Sequence, residues 1–309
     1  MTKIDLVTGF LGAGKTTFIA RYGAWLEQQG VRFAVVENEF GAAGVDRVLL
    51  SERFGNVREL AGGCICCTLK SGFHAMLGQL CGRCDRVIVE PSGLYNLDDF
   101  FEVVDGLARD DLCEPGLCLT LVDPHTLPAL TAEERDVLHD ELMGTGGVLW
   151  TKTDTGAPCD LGQAAASVRA CLGDADGAPL LFVEPPAPQL TANDFARLQE
   201  MRPVRRAHRR MVRNHREMYQ SVSFRPRGTF EAGPLLDILS RLIETGACGE
   251  ILRVKGFVRA ADGCLAVNCT VSDRLAQPCG ERPAMVNIIG HTLDRAGLQA
   301  AFENACAQD

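Results

Sequence analysis

Nine consecutive residues, Gly9-Phe10-Leu11-Gly12-Ala13-Gly14-Lys15-Thr16-Thr17, place glycines, a lysine and hydroxyls at the spacing G-x-x-x-x-G-K-[ST], directly behind the apolar run Ile4-Asp5-Leu6-Val7. Phosphate is bound by a ring of backbone N–H donors, and Gly9, Gly12 and Gly14 keep side chains out of that approach. In this pattern Lys15 reaches the β- and γ-phosphates and the Thr16 hydroxyl ligates Mg²⁺. The helix that starts here points its positive end at the anion. Gly9, Gly12, Ala13, Gly14, Lys15, Thr16 and Thr17 are therefore the candidate residues for binding a nucleotide, with Lys15 also a candidate catalytic group.

A second chemical cluster follows in Gly62-Gly63-Cys64-Ile65-Cys66-Cys67, three thiolate donors within four residues. In a straight strand Cys64 and Cys66 face one way and Cys67 the other, so sharing one ion requires a turn, which the two glycines allow. A helix expected from about Thr68 to Leu80 would direct its N-terminal dipole at the cysteines and favour their deprotonated forms. Three sulfurs fall one short of the four protein ligands of a structural zinc. The remaining position goes to a carboxylate, a water or a receiving protein, and such a site can be loaded and unloaded. Thiolates suit Zn²⁺ or Cu⁺. A buried cysteine cluster or a redox pair are the alternatives. Cys81 and Cys84 form a second Cys-x-x-Cys, expected to be structural unless the fold brings it near Cys64.

The elements that position these groups are short apolar runs at 3–8, 32–37, 86–90, 117–122, 147–150 and 179–183, separated by stretches long enough for crossover helices. Continuous apolar strands of this length are covered on both faces, which predicts an α/β fold with a doubly wound, mostly parallel sheet. Ligands of such sheets collect at the carboxyl ends of the strands. Those ends carry Glu37-Asn38-Glu39-Phe40-Gly41, Glu90-Pro91-Ser92-Gly93, Asp123 and Thr151-Lys152-Thr153-Asp154. A carboxylate at Glu37 or Glu39 has three roles open to it: contacting Mg²⁺, orienting water, or completing the thiolate site.

Glu184-Pro-Pro-Ala-Pro-Gln189 reads as a stiff connector before a helix at 191–201, with Thr191 or Asn193 as its cap. Residues 202–217 form an arginine-rich linker, a solvated stretch or a docking surface for an acidic partner. From 218 to 309 the pattern changes to a smaller α+β domain, with strands at 219–225, 250–258, 263–269 and 284–289 and helices at 233–245 and 293–306. Residues 1–201 then form the phosphate-loop domain. The chain has 309 residues, 46% hydrophobic and 23% charged, with a net charge of −9 that argues against nucleic acid or an anionic membrane as a partner. Fourteen cysteines in a chain that can bury a full core do not read as a disulfide framework. With no leader pattern and no run approaching the length of a membrane span, the expected location is cytoplasmic.

The glycine loop, Glu37-Asn38-Glu39-Phe40-Gly41, Gly62-Gly63-Cys64-Ile65-Cys66-Cys67, Glu90-Pro91-Ser92-Gly93 and Thr151-Lys152-Thr153-Asp154 together resemble the CobW-type GTPase metallochaperones, relatives of the urease and hydrogenase nickel-insertion GTPases. Leu252-Arg253-Val254-Lys255-Gly256-Phe257 and Ile288-Ile289-Gly290-His291 resemble the C-terminal domain of that family. The resemblance implies a P-loop GTPase domain and slow GTP hydrolysis coupled to loading and release of a transition metal, Zn²⁺ or Co²⁺, for a client apo-metalloenzyme. By the same analogy Cys64, Cys66, Cys67 and Glu37 hold that metal, Glu39 and Glu90 serve the catalytic centre near Mg²⁺ and the nucleotide, and Thr151, Lys152 and Asp154 read the guanine. Thr151 stands where the family pattern has asparagine. A GTP-dependent adaptor with structural cysteines is the alternative. Oligomeric state stays open, a homodimer among the options. Six histidines with no run among them give no sign of a metal-storage tract.

Overall fold

The computed structural model describes residues 1–37, 54–55, 57–59, 70–91, 97–155, 158–173, 179–206, 219–271 and 273–306, with only the backbone at 57–59 and 70. The described residues up to 206 belong to one compact unit and those from 219 onward to another.

In the first unit seven described strands form a sheet: β1 (Thr2–Thr8), β2 (Phe33–Glu37), β3 (Val57–Glu59), β4 (Arg86–Glu90), β5 (Cys113–Val122), β6 (Gly147–Trp150) and β7 (Phe182–Val183). Their order is β3-β2-β4-β1-β5-β6-β7, and every described pairing is parallel. The expected strands are all present, with β5 beginning four residues earlier than expected and β7 reduced to two residues. The three-residue β3 was not anticipated.

Alternation along the strands sends side chains to two cores. Val7, Val35, Ile88 and Leu119 face a layer that includes α1 (Lys15–Gln28), where Phe18, Ile19, Tyr22 and Leu26 are buried. Ile4, Leu6, Val36, Val87 and Val89 face α2 (Lys70–Leu80) and α3 (Leu97–Arg109) through Phe73, Leu77, Phe100 and Val104. Each large apolar side chain so buried contributes roughly 1.5–3 kcal/mol. The outer part of the sheet, with Val148 and Trp150, packs on α4 (Ala132–Gly144) and α5 (Leu161–Leu172).

The helix behind the glycine loop is held from the side as well as from below. Phe18, Tyr22 and Trp25 stack in sequence at centroid distances of 5.9 and 6.1 Å, and Phe195 of α6 (Ala192–Leu198) packs on all three. Thr191 precedes that helix, with its backbone N–H and its hydroxyl both donating to Asp194. The first arginines of the basic stretch are tied to this unit. Arg205 pairs with Asp105, and Arg206 is buried against the Leu142 and Thr145 carbonyls at the end of α4. Residues 207–218 lie outside the described ones.

One charged cluster sits inside the sheet. Asp5, fully buried in the middle of β1, accepts from Arg86 Nε and Nη2 at 2.6 Å each, from the Leu117 backbone N–H at 2.7 Å and from the Tyr22 hydroxyl at 3.1 Å. It joins β1, β4, β5 and α1 at one point beneath the loop.

The second unit has strands in the order β11-β10-β9-β12-β8, antiparallel throughout the described pairs: β8 (Gln220–Phe224), β9 (Glu250–Ala260), β10 (Gly263–Thr270), β11 (Arg274–Cys279) and β12 (Met285–His291). The edge strand β11 was not anticipated. α7 (Ala232–Thr245) contributes Leu235, Leu239 and Leu242 at helical spacing, and α8 (Arg295–Asn304) contributes Leu298 and Phe302. They share one core with Val222, Val254, Val267 and Ile288 of the sheet. This is the mixed α+β pattern expected of residues 218–309. Among the described residues no helix is long and apolar enough to cross a membrane.

Candidate functional site

Between β1 and α1 the backbone takes the conformations that only glycine adopts easily. Gly9 has φ of 142°, Gly12 of 79° and Gly14 of 85°, the last as the cap of α1. At Gly9 a Cβ would press into the Leu121 carbonyl oxygen, so space and dihedral demand glycine together. Gly9→Ala should therefore cost about 1–3 kcal/mol of stability and weaken phosphate binding, because backbone cannot move aside as a flexible side chain would. Urea unfolding and calorimetric titration with GDP check both effects.

Lys15 is buried, and its ammonium donates to the carbonyls of Gly9 at 2.6 Å and Phe10 at 3.3 Å. The Thr16 hydroxyl donates to Glu90 Oε1 at 2.9 Å. Thr17 is exposed and Ala13 is buried under the loop, its N–H closing a turn to the Phe10 carbonyl at 3.0 Å. Glu37 lies opposite Glu90 in the β2–β4 register, and both carboxylates are buried. The Thr16 hydroxyl beside the buried Glu90 carboxylate is an oxygen donor pair, which suits Mg²⁺.

The residues after β6 close the other side. Thr151 is buried with its side chain next to Gly14, and its N–H donates to the Val122 carbonyl at 2.9 Å. Lys152 is held at a left-handed φ of 53° and its ammonium meets Asp123 Oδ2 at 3.3 Å. Asp123 Oδ1 in turn lies 3.0 Å from both the backbone N–H and the Nδ1 of His125. Asp154 is exposed in the turn beyond. The strand-end residues Glu37, Glu90, Asp123 and Thr151 thus gather on the edge that carries the loop. Glu39, Cys64, Cys66 and Cys67 lie outside the described residues.

Two features were not read from the sequence. One is the pairing of Asp123 with Lys152 and His125, whose only signal was an aspartate at a strand end. The other is Glu141 of α4, which is 2% exposed and lies beneath the loop. Its Oε1 accepts from the Thr8 hydroxyl at 3.1 Å and from the Gly9 N–H at 3.2 Å. Burial pushes its pKa up to about 7 despite the opposing pull of Lys15 and of those two donors. Cys81 and Cys84, by contrast, sit at the amino-terminal edge of β4, opposite the loop, and pack on the core. Among the described residues no disulfide forms and no cluster of metal-ligating side chains occurs.

A parallel α/β sheet with this loop at the carboxyl end of its first strand defines a P-loop nucleotide-binding domain. Residues 3–175 match the family model described as CobW/HypB/UreG, nucleotide-binding domain, and residues 219–306 match the cobalamin synthesis protein cobW C-terminal domain. The chain belongs to this CobW/HypB/UreG family. It is 30% identical over 162 residues to the zinc chaperone YeiR of Escherichia coli K12, which is 51% of this chain and 48% of that protein. It is 31% identical over 165 residues to the zinc chaperone YjiA of the same organism, 49% of each chain. With the zinc chaperone CobW of Pseudomonas aeruginosa the identity is 34% over 141 residues, 41% of this chain and 37% of the relative. The chain spans about half the length, or less, of these curated relatives. The Zn(II)-bound YjiA GTPase from E. coli aligns over 99% of each chain with a TM-score of 0.42 and 19% identity.

Proposed function

We propose that this chain is a GTP-hydrolysing metallochaperone that loads and releases a transition metal, zinc foremost, at Cys64, Cys66 and Cys67, and passes it to a client apo-metalloenzyme. Lys15 and the loop N–H groups bind the phosphates, and Thr16 with Glu90 holds Mg²⁺, which supplies charge neutralisation at the β- and γ-phosphates when bound. Glu39 orients the attacking water. Lys152 and Asp154 read the guanine beside Thr151, and Glu37 completes the thiolate site. Co²⁺ is a second cargo of the same donor chemistry. Zinc is favoured by the names of the relatives, which are zinc chaperones.

The observation that carries this reading is the hydrogen bond from Thr16 to Glu90, next to Glu37, in a sheet whose outer strand β3 leads into the cysteine motif. In the order β3-β2-β4-β1 the outer strand is three spacings from β1, about 14 Å at the usual strand separation. From Glu59, the last residue of β3, to Cys64 the chain can extend about 17 Å. This chain length is enough to span the distance from β3 to the loop, which supports a coupling between hydrolysis and the thiolates.

Cys66→Ser tests the cargo site. Removing one of three thiolates should weaken Zn²⁺ binding at least about tenfold, the equivalent of 1.4 kcal/mol, and leave GDP affinity unchanged. Competition against a chromophoric chelator and titration with GDP give the two numbers. Unaltered zinc affinity would transfer the function to a GTP-dependent adaptor in which the cysteines are structural.

A further inference from the structure

Glu141 has no place in the reading above, yet it is the side chain most closely built into the loop from below. Its Oε1 takes the Gly9 N–H and the Thr8 hydroxyl, while the carbonyl of the same Gly9 takes the Lys15 ammonium. A single residue, Gly9, thus separates the buried carboxyl from the cation that is to meet phosphate. Its second oxygen, Oε2, is buried with no hydrogen-bond partner. An ionised carboxylate with one oxygen unsolvated is costly, and a protonated one is not.

The position is fixed at both ends of its helix. Thr131 and Glu134 cap the start of α4 reciprocally, at 3.2 and 2.7 Å, and Arg206 donates to the Leu142 and Thr145 carbonyls at its end. Glu134, Leu138 and Glu141 fall at i, i+4 and i+7, which turns all three inward. The charged groups that act on Glu141 are Lys15 from α1 and Asp140 from its own helix.

We propose that Glu141 is a positioning residue of the phosphate loop and that nucleotide binding is coupled to its protonation, a proton from solvent entering this carboxyl as the phosphates arrive and leaving as they depart. When Glu141 is ionised, its negative charge lies behind Lys15 and opposes the polyphosphate. When neutral, it keeps its acceptor bonds to Thr8 and Gly9 without that opposition. Burial has already brought the carboxyl to the edge of ionisation near neutral pH, so the coupling falls in a range where it acts. The inference rests on the loop binding nucleotide, as proposed above.

GDP affinity of the full chain with Mg²⁺, measured calorimetrically between pH 6 and 8.5 for wild type and Glu141→Gln, tests it. Wild-type affinity should fall with rising pH, approaching tenfold per unit at the upper end. The variant, a neutral isostere with the same acceptor oxygen, should bind at pH 8.5 several-fold more tightly than wild type and lose that part of the slope. The nucleotide's own phosphate ionisation contributes equally to both proteins and cancels in the comparison. Wild type alone, titrated at pH 7.5 in buffers of different ionisation enthalpy, should take up a substantial fraction of a proton per GDP beyond that of the nucleotide. Equal pH slopes with binding retained, or no proton uptake, would overturn the coupling and leave the nucleotide reading intact. Absence of GDP binding by wild type at every pH would overturn the nucleotide reading itself, and this inference with it.

Discussion

Asp5→Ala is expected to destabilise the nucleotide-binding unit by about 3–5 kcal/mol, the cost of removing one partner of a buried ion pair. The Arg86 guanidinium is 4% exposed at the side chain and would keep only its bond to Gln199 Oε1 at 2.6 Å. The Leu117 N–H and the Tyr22 hydroxyl would lose their acceptor in the same step. Because β1, β4, β5 and α1 meet at this carboxylate, the loss should appear as a lower urea midpoint and as weaker GDP binding together. Asp5→Asn should cost less, since a carbonyl oxygen still accepts from part of the set. A change below about 1 kcal/mol for the alanine variant would mean that the cluster contributes little to holding the sheet.

Lys15→Ala is expected to lower nucleotide affinity by roughly 30- to 150-fold, the equivalent of about 2–3 kcal/mol for charge-assisted bonds to phosphate. Folding should be affected far less, because the Gly9 and Phe10 carbonyls that Lys15 serves belong to a loop that its own turn and glycine geometry already shape. Loss of the ammonium also removes the cation that holds down the Glu141 pKa, so this carboxyl should remain protonated to a higher pH than in wild type. Calorimetric titration with GDP and thermal unfolding separate the two effects. Equal affinity in the variant would remove Lys15 from the phosphate site.

Glu141 also sets a pH dependence of stability. Its folded-state pKa is raised to about 7 against an ordinary glutamate value of 4.5. The stability it contributes is fully present below the unfolded value and is lost as pH rises through about 7. Wild type should therefore lose stability between about pH 5 and 8, and Glu141→Gln should flatten that part of the curve.

The loop and the central strands were legible because their signals are local. Glycine spacing fixes a loop whose backbone must cross to positive φ, and a fully apolar run such as Phe33–Val36 has few alternatives to a covered strand. The edge strands β3 and β11 were not legible. β3 is the three-residue Val-Arg-Glu, too short to show a period, and β11 contains Pro278, which reads as a loop and is tolerated because the strand lies at an edge. Glu141 was hidden for a different reason. Asp140-Glu141 within a charged helix looks like a solvated face, and only the packing of α4 under the loop makes one of the two acids a buried partner of Gly9. Asp5 did leave a trace, a single charge within an apolar run, but its meaning required the start of β4 to bring Arg86 alongside.

The most direct test of the proposed function is a titration of the purified, reduced chain with Co²⁺ and Zn²⁺ in the presence of Mg²⁺, first with a slowly hydrolysed GTP analogue and then with GDP. Cobalt reports its own ligands through thiolate charge-transfer and d–d absorption. Tetrahedral thiolate ligation is expected with the GTP analogue and at least about tenfold weaker binding with GDP, since discharge requires a difference of about 1.4 kcal/mol for each factor of ten. Equal metal affinity in the two nucleotide states, or no thiolate signal in either, would contradict the proposed function.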